Sequence, residues 1–170
     1  MKLPALRDAD VHTRLATYLN DHLGGATGGV ELARRLCGSN KGTEYGPPLE
    51  GVARQIEEDV ATLREIMARF NVEEDRIKQS MAYAAEKVGR LKLNGQLLGY
   101  SPLSRLVELE GMMLGVTGKH ALWTVLNENY GQDSRLDGID MAALISRAKE
   151  QRVTLERLRR RAATEALAGG

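Results

Sequence analysis

The chain has 170 residues, of which 42% are apolar, 28% charged and only 4% aromatic, with 24 basic against 23 acidic side chains and a formal net charge of +1. That composition suits one domain with its own core, excludes a disordered chain, and favours helices over a sandwich or barrel built on aromatic and β-branched residues. The balanced charge argues against a dedicated nucleic-acid binder, and no apolar run approaches the roughly 18 residues of a membrane span.

No charged-then-apolar signal segment opens the sequence, so a soluble, cytoplasmic protein is the expectation. Met1 to Arg7 reads as a leader that Pro4 keeps out of helix, with Asp8 or Asp10 as the cap of the first helix. That helix is expected over about 8–37. Its seam is Leu15, Leu19, His22, Ala26, Gly29, Ala33 and Leu36, broadened by Leu23, Val30 and Cys37. Cys37, the single cysteine, can form no internal disulfide and no Cys-type zinc site; on an apolar face it reads as a buried, inert thiol.

After the loop GSNKGTEYGPP, the adjacent Pro47 and Pro48 fit the first turn of a second helix over about 47–70. Leu49, Val52, Ile56, Val60, Leu63, Met67 and Phe70 form its seam, and Asn71 closes it. A third helix is expected over about 73–98, with Asn71 and Glu74 as a capping box and Ile77, Met81, Ala84, Val88, Leu91 and Gly95 as its seam. Ser101 as cap and Pro102 at the first helical position restart the chain for a fourth helix, about 102–130, with the seam Leu103, Val107, Glu110, Leu114, Thr117, Ala121 and Val125. A fifth runs over about 139–166 through Leu144, Ile145, Ala148, Leu155 and Leu158.

The fold class is therefore all-α, with five long helices in a single domain. Short loops make the first and second helices antiparallel, and likewise the fourth and fifth. With the third helix as a return path, the second and fourth run the same way. That is a four-helix bundle with one long, helical crossover. LEGVARQIEEDVATLREIM and SPLSRLVELEGMMLGVTGKHALW resemble the second and third core helices of the ferritin-like superfamily. The resemblance implies inward carboxylates and Glu-x-x-His pairs around two metal ions. This sequence departs from it: no Glu-x-x-His occurs, and the last helix has no histidine. An up-and-down five-helix bundle is the alternative.

His22 and Glu110 both lie within apolar seams, where a charge or imidazole needs a partner. The two are expected to meet, either as a hydrogen-bonded pair that fixes register or, with Glu57 turned inward, as a sparse site for Fe, Mn or Zn. Otherwise Glu57, Glu58 and Asp59 form a solvated acidic rim. His12 and His120 are expected at the surface. Gly25 and Gly29, with Gly111, Gly115 and Gly118, would each weaken a helix by about 1 kcal/mol and so suggest close helix packing. Gly24 and Gly28, placed outside, raise a homodimer face as a second reading. Lys87, Arg90, Lys92 and Arg105 gather around the Ser101 cap as a candidate anion site, the alternative being solvated cations. Arg159, Arg160 and Arg161 complement the dipole at a helix end.

Phosphate-binding glycine loops, a Cys–His pair and a serine elbow are all missing. The expected function is a non-enzymatic interaction or small-ligand binding module that needs no cofactor. A metal-binding protein is second, and an anion or nucleic-acid binder third.

Overall fold

A computed structural model describes residues 4–75 and 100–168, and over these the chain is helical with no strand. The four helices are α1 (Pro4–Ser39), α2 (Gly46–Arg69), α3 (Pro102–Tyr130) and α4 (Met141–Leu167), with a short 3-10 turn at Ser134–Leu136 between the last two. The expected third helix, 73–98, falls almost wholly on 76–99 and lies outside the described residues.

Local signals set most boundaries. α1 begins at Pro4, earlier than the expected residue 8. Proline suits a first turn, because its missing N–H would have had no intrahelical acceptor there. Ser101 caps α3 by accepting from Ser104 N at 3.1 Å, and Asp140 caps α4 by accepting from Ala143 N at 2.9 Å. α2 ends with Asn71 in the left-handed region at φ 55°. Val72 N donates to Met67 O at 2.8 Å and Asn71 N to Ala68 O at 3.0 Å. These paired bonds are a Schellman closure with asparagine in the usual glycine place.

Side-chain contacts give the directions of the helices. Arg34 meets Glu57 at 2.9 Å and His12 Nε2 meets Phe70 O at 3.1 Å, so α1 and α2 are antiparallel. Arg35 meets Glu108 at 2.6 Å and Arg105 meets Asn40 at 2.6 Å, so α1 and α3 are antiparallel too. Arg105 to Glu165 at 2.7 Å and Lys119 to Gln151 at 2.6 Å do the same for α3 and α4. Gln55 to Gln151 at 3.0 Å and Arg69 to the Asp137 carbonyl at 2.8 Å close the ring between α2 and the start of α4. The cyclic order is α1, α2, α4, α3, every neighbour antiparallel, with α2 and α3 running the same way.

Buried amides pin the irregular segments. Asn20 donates to Glu73 O at 2.9 Å and accepts from Asp75 N at 2.6 Å, fastening the chain leaving α2 against α1. Asn40, fully buried, donates to Leu36 O at 2.8 Å and to the Tyr100 hydroxyl at 3.0 Å while accepting from Arg105.

The α2 seam is buried throughout, as its spacing predicts. The buried face of α3 is a different one from that expected. Leu103 is 52% exposed, Leu114 75% and the Glu110 side chain 50%. The core is met instead by Leu106, Leu109, Met112, Val116, Leu122, Trp123 and Leu126. α3 carries apolar residues all round, so two stripes of helical spacing compete, and the one with the larger side chains is buried.

Candidate functional site

The core is divided along its length. Leu19, Leu23, Leu63, Phe70, Trp123 and Leu126 centre one hydrophobic cluster towards the α1 N-terminal end. Leu36, Leu49, Leu109, Leu155 and Leu158 centre another towards the opposite end. Between them lies a waist of a different character.

On the α2–α4 side the waist is polar. Asp59 is 2% exposed and Gln151 1%. Asp59 accepts from Lys119 of α3 through one carboxylate oxygen and from Arg147 of α4 through the other. Lys119 also donates to Gln151 Oε1 at 2.6 Å, and Gln151 Nε2 donates to Gln55 Oε1 at 3.0 Å. Arg147 reaches outward to Glu58 at 3.2 Å. Burial pushes the Lys119 ammonium below its ordinary value, Asp59 opposes that, and Arg147 adds to it. A buried carboxylate needs such partners, since leaving it unpaired would cost several kcal/mol.

On the α1 side the waist is hollow. A cavity of about 210 Å³ opens between α1, α2 and α3. Ile56, Val60 and Leu63 line it from α2, and Met112, Val116, Leu122 and Trp123 from α3, while His22, Ala26 and the glycines close the α1 side. Asp21, Asp59 and Lys119 border the same space. The glycines make the volume. A Cβ built at Gly25, Gly29, Gly115 or Gly118 would meet nothing within 4 Å. These four therefore do not serve close helix packing, which corrects the expectation; they keep side chains out. Gly111 differs from these four in facing α1, a Cβ there lying in ordinary contact with Leu32 Cδ2 at 3.5 Å. Gly24 is buried and Gly25 exposed, the reverse of the placement that raised a homodimer face.

The metal trio is not brought together. His22 sits on the cavity wall, its ring edge-to-face with Tyr18 at 4.6 Å. Glu57 is turned outward to Arg34, and Glu110 faces Arg159 across α3 and α4 at 3.7 Å. Both carboxylates are held by arginines away from His22, and no group of three or more metal-ligating side chains occurs among the described residues. His22 makes no hydrogen bond within the described chain, and burial lowers its pKa against the opposing charge of Asp21, leaving the ring neutral at pH 7.

Of the anion site, Arg90 and Lys92 lie outside the described residues, as does Lys87. Ser101 is spent on its cap. Arg105 is bound to Asn40 and Glu165 and lies 4.4 Å over the Tyr45 ring, so it is a structural cation. Cys37 is half-buried rather than buried, and burial raises its thiol pKa, which keeps it protonated and a weak nucleophile. His12 is exposed and His120 half-buried. The three terminal arginines are ion-paired: Arg159 and Arg160 to Glu156, Arg161 to Glu44 and Glu165.

Asp59, Lys119, Arg147 and Gln151 do not stand out in the sequence as a set, although a signal is present. Gln151 falls in seam register in the run Leu144, Ala148, Gln151, Leu155, Leu158. Lys119 lies three residues after Val116 and three before Leu122, and Asp59 three after Ile56. Polar residues at mid-helix seam positions on three helices mark a polar layer.

No helix among the described residues is long and apolar enough to cross a membrane. No protein-family model matches the chain, and neither the curated proteins nor the solved structures searched contain a match.

Proposed function

We propose that the chain is a ferritin-like bundle that works without a metal centre, binding a small, largely apolar molecule in the cavity at its waist. The observation that carries this reading is a 210 Å³ space walled by apolar side chains and kept open by glycines from two facing helices. Interior glycines weaken a helix by about 1 kcal/mol each relative to alanine, and an unfilled core forfeits packing energy as well. Binding offsets both costs. Pockets for small molecules combine apolar walls with a few placed polar groups, as His22 and Lys119 are placed here. The ferritin-like part of the reading is supported by the helix order, with its parallel α2 and α3.

Trp123 is the only tryptophan and lies in the cavity wall, so its emission reports occupancy. Titration with six-carbon probes, hexanoate and hexanamide, is expected to give a saturable change in that emission. Gly29→Leu or Gly118→Leu, which fill the space from opposite walls, should abolish it with the fold intact by circular dichroism. Absence of a saturable response to both probes, or a response unmoved by both fillings, would overturn the reading.

A further inference from the structure

We propose that the ligand is a small monocarboxylate, its hydrocarbon part in the apolar cavity and its carboxylate accepting from the Lys119 ammonium. This rests on the cavity being a ligand site, and it adds the chemical class that the site selects.

Size comes first. A dry cavity of about 150 Å³ holds benzene, so a space of 210 Å³ suits a ligand of roughly eight non-hydrogen atoms. Its apolar walls call for a hydrocarbon body.

Charge then selects the head. Lys119 Nζ has three N–H donors, and Asp59 and Gln151 take two of them. The third is uncommitted among the described residues, on a side chain that borders the cavity. Asp59 is shared between Lys119 and Arg147, so two cations converge on one buried carboxylate. Arg147 has Glu58 as a second, exposed partner, whereas Lys119 has no second carboxylate among the described residues. Beside the Asp21 and Asp59 carboxylates the walls carry two further donors: the neutral His22 ring has one N–H, and the Trp123 indole N–H finds no acceptor among the described residues. An amine in this space would meet the Lys119 ammonium, and of the two carboxylates that border it, Asp21 and Asp59, the second is already shared by Lys119 and Arg147. A phosphate dianion would bring two charges to a single uncommitted N–H donor. A single carboxylate takes up the third Lys119 donor, and it would oppose the desolvation that burial imposes on Lys119.

The test compares hexanoate with hexanamide, nearly the same shape without the charge, by Trp123 emission and by calorimetry. A charge-assisted hydrogen bond from Lys119 predicts about tenfold preference for hexanoate. Lys119→Met should remove the preference, bringing the affinities of the two probes within about twofold of each other. Should that variant fail to fold, wild-type protein with carboxyl-labelled ¹³C-hexanoate still decides, since the bound carboxyl is expected to titrate below the free acid. Equal binding of the two probes, or a bound carboxyl titrating at or above the free value, overturns the carboxylate assignment and leaves the cavity reading in place. If neither probe binds, both fall.

Discussion

At the scale of single residues, the waist is governed by how one carboxylate and one imidazole are surrounded. Asp59 is shielded from water and held by Lys119 and Arg147, whereas His22 is half-buried with no hydrogen-bond partner among the described residues. The consequence for His22 is a pH dependence of stability. Its ordinary pKa is 6.5; burial lowers the folded value, with Asp21 acting in the other direction. Between the two values the unfolded chain binds more protons than the folded one, so stability rises with pH across that window. It is lost as pH falls through the window towards the folded value. His120 acts with the same sign, since burial and the charges of Lys149 and Arg152 also lower its pKa. Denaturant unfolding between pH 7 and pH 5 should therefore show wild type losing stability on acidification. His22→Gln and His120→Gln should each lose less, and the difference assigns each ring its share. A His22→Gln profile parallel to wild type would show that the ring is as well solvated folded as unfolded.

At the scale of elements, what could be read from the sequence depended on how one-sided each helix is. α2 has a single apolar stripe, and its seam from Leu49 to Phe70 is buried residue for residue. α3 has two, so spacing alone chose the exposed Leu103–Leu114 stripe and carried Glu110 inward with it. That choice generated the His22–Glu110 pairing, which fails because the true inward stripe brings Lys119 instead. The glycines were legible as unusual but not as cavity-forming, because spacing cannot distinguish a close approach from an empty one. Helix ends were legible where chemistry is local: Ser101–Pro102 opens α3, and Asn71 closes α2. The Asn71 closure can be tested directly. At φ 55° a β-branched side chain is crowded, so Asn71→Val should cost about 1–2 kcal/mol in chemical denaturation. Asn71→Gly should stay within about 0.5 kcal/mol of wild type, because glycine adopts the same conformation without strain. Equal losses in both variants would mean that the asparagine side chain, rather than its backbone conformation, closes the helix.

At the scale of the whole molecule, two apolar clusters hold the bundle at either end and leave the middle free to be specialised. α1 is joined to α3 by Arg35–Glu108 and to α2 by Arg34–Glu57, and α3 to α4 by Arg105–Glu165, all outside the waist. Three sides of the ring thus have fastenings that do not pass through Asp59, Lys119 or Gln151, and on the fourth Arg69 ties α2 to the Asp137 carbonyl just before α4. If that division of labour holds, the polar layer is dispensable for folding. Replacing a buried ion pair by apolar residues of similar volume is often neutral or stabilising by about 1–4 kcal/mol, whereas removing one partner alone is costly. The triple variant Asp59→Leu, Lys119→Met, Gln151→Leu removes the layer together, and Arg147 keeps its exposed partner Glu58. It is expected to unfold cooperatively with a stability no more than about 1 kcal/mol below wild type, and with no preference for hexanoate over hexanamide. A loss of several kcal/mol would instead make the layer a register device for the bundle. Retained stability with lost discrimination would show that the charges are kept for the ligand, since the helices hold their order without them.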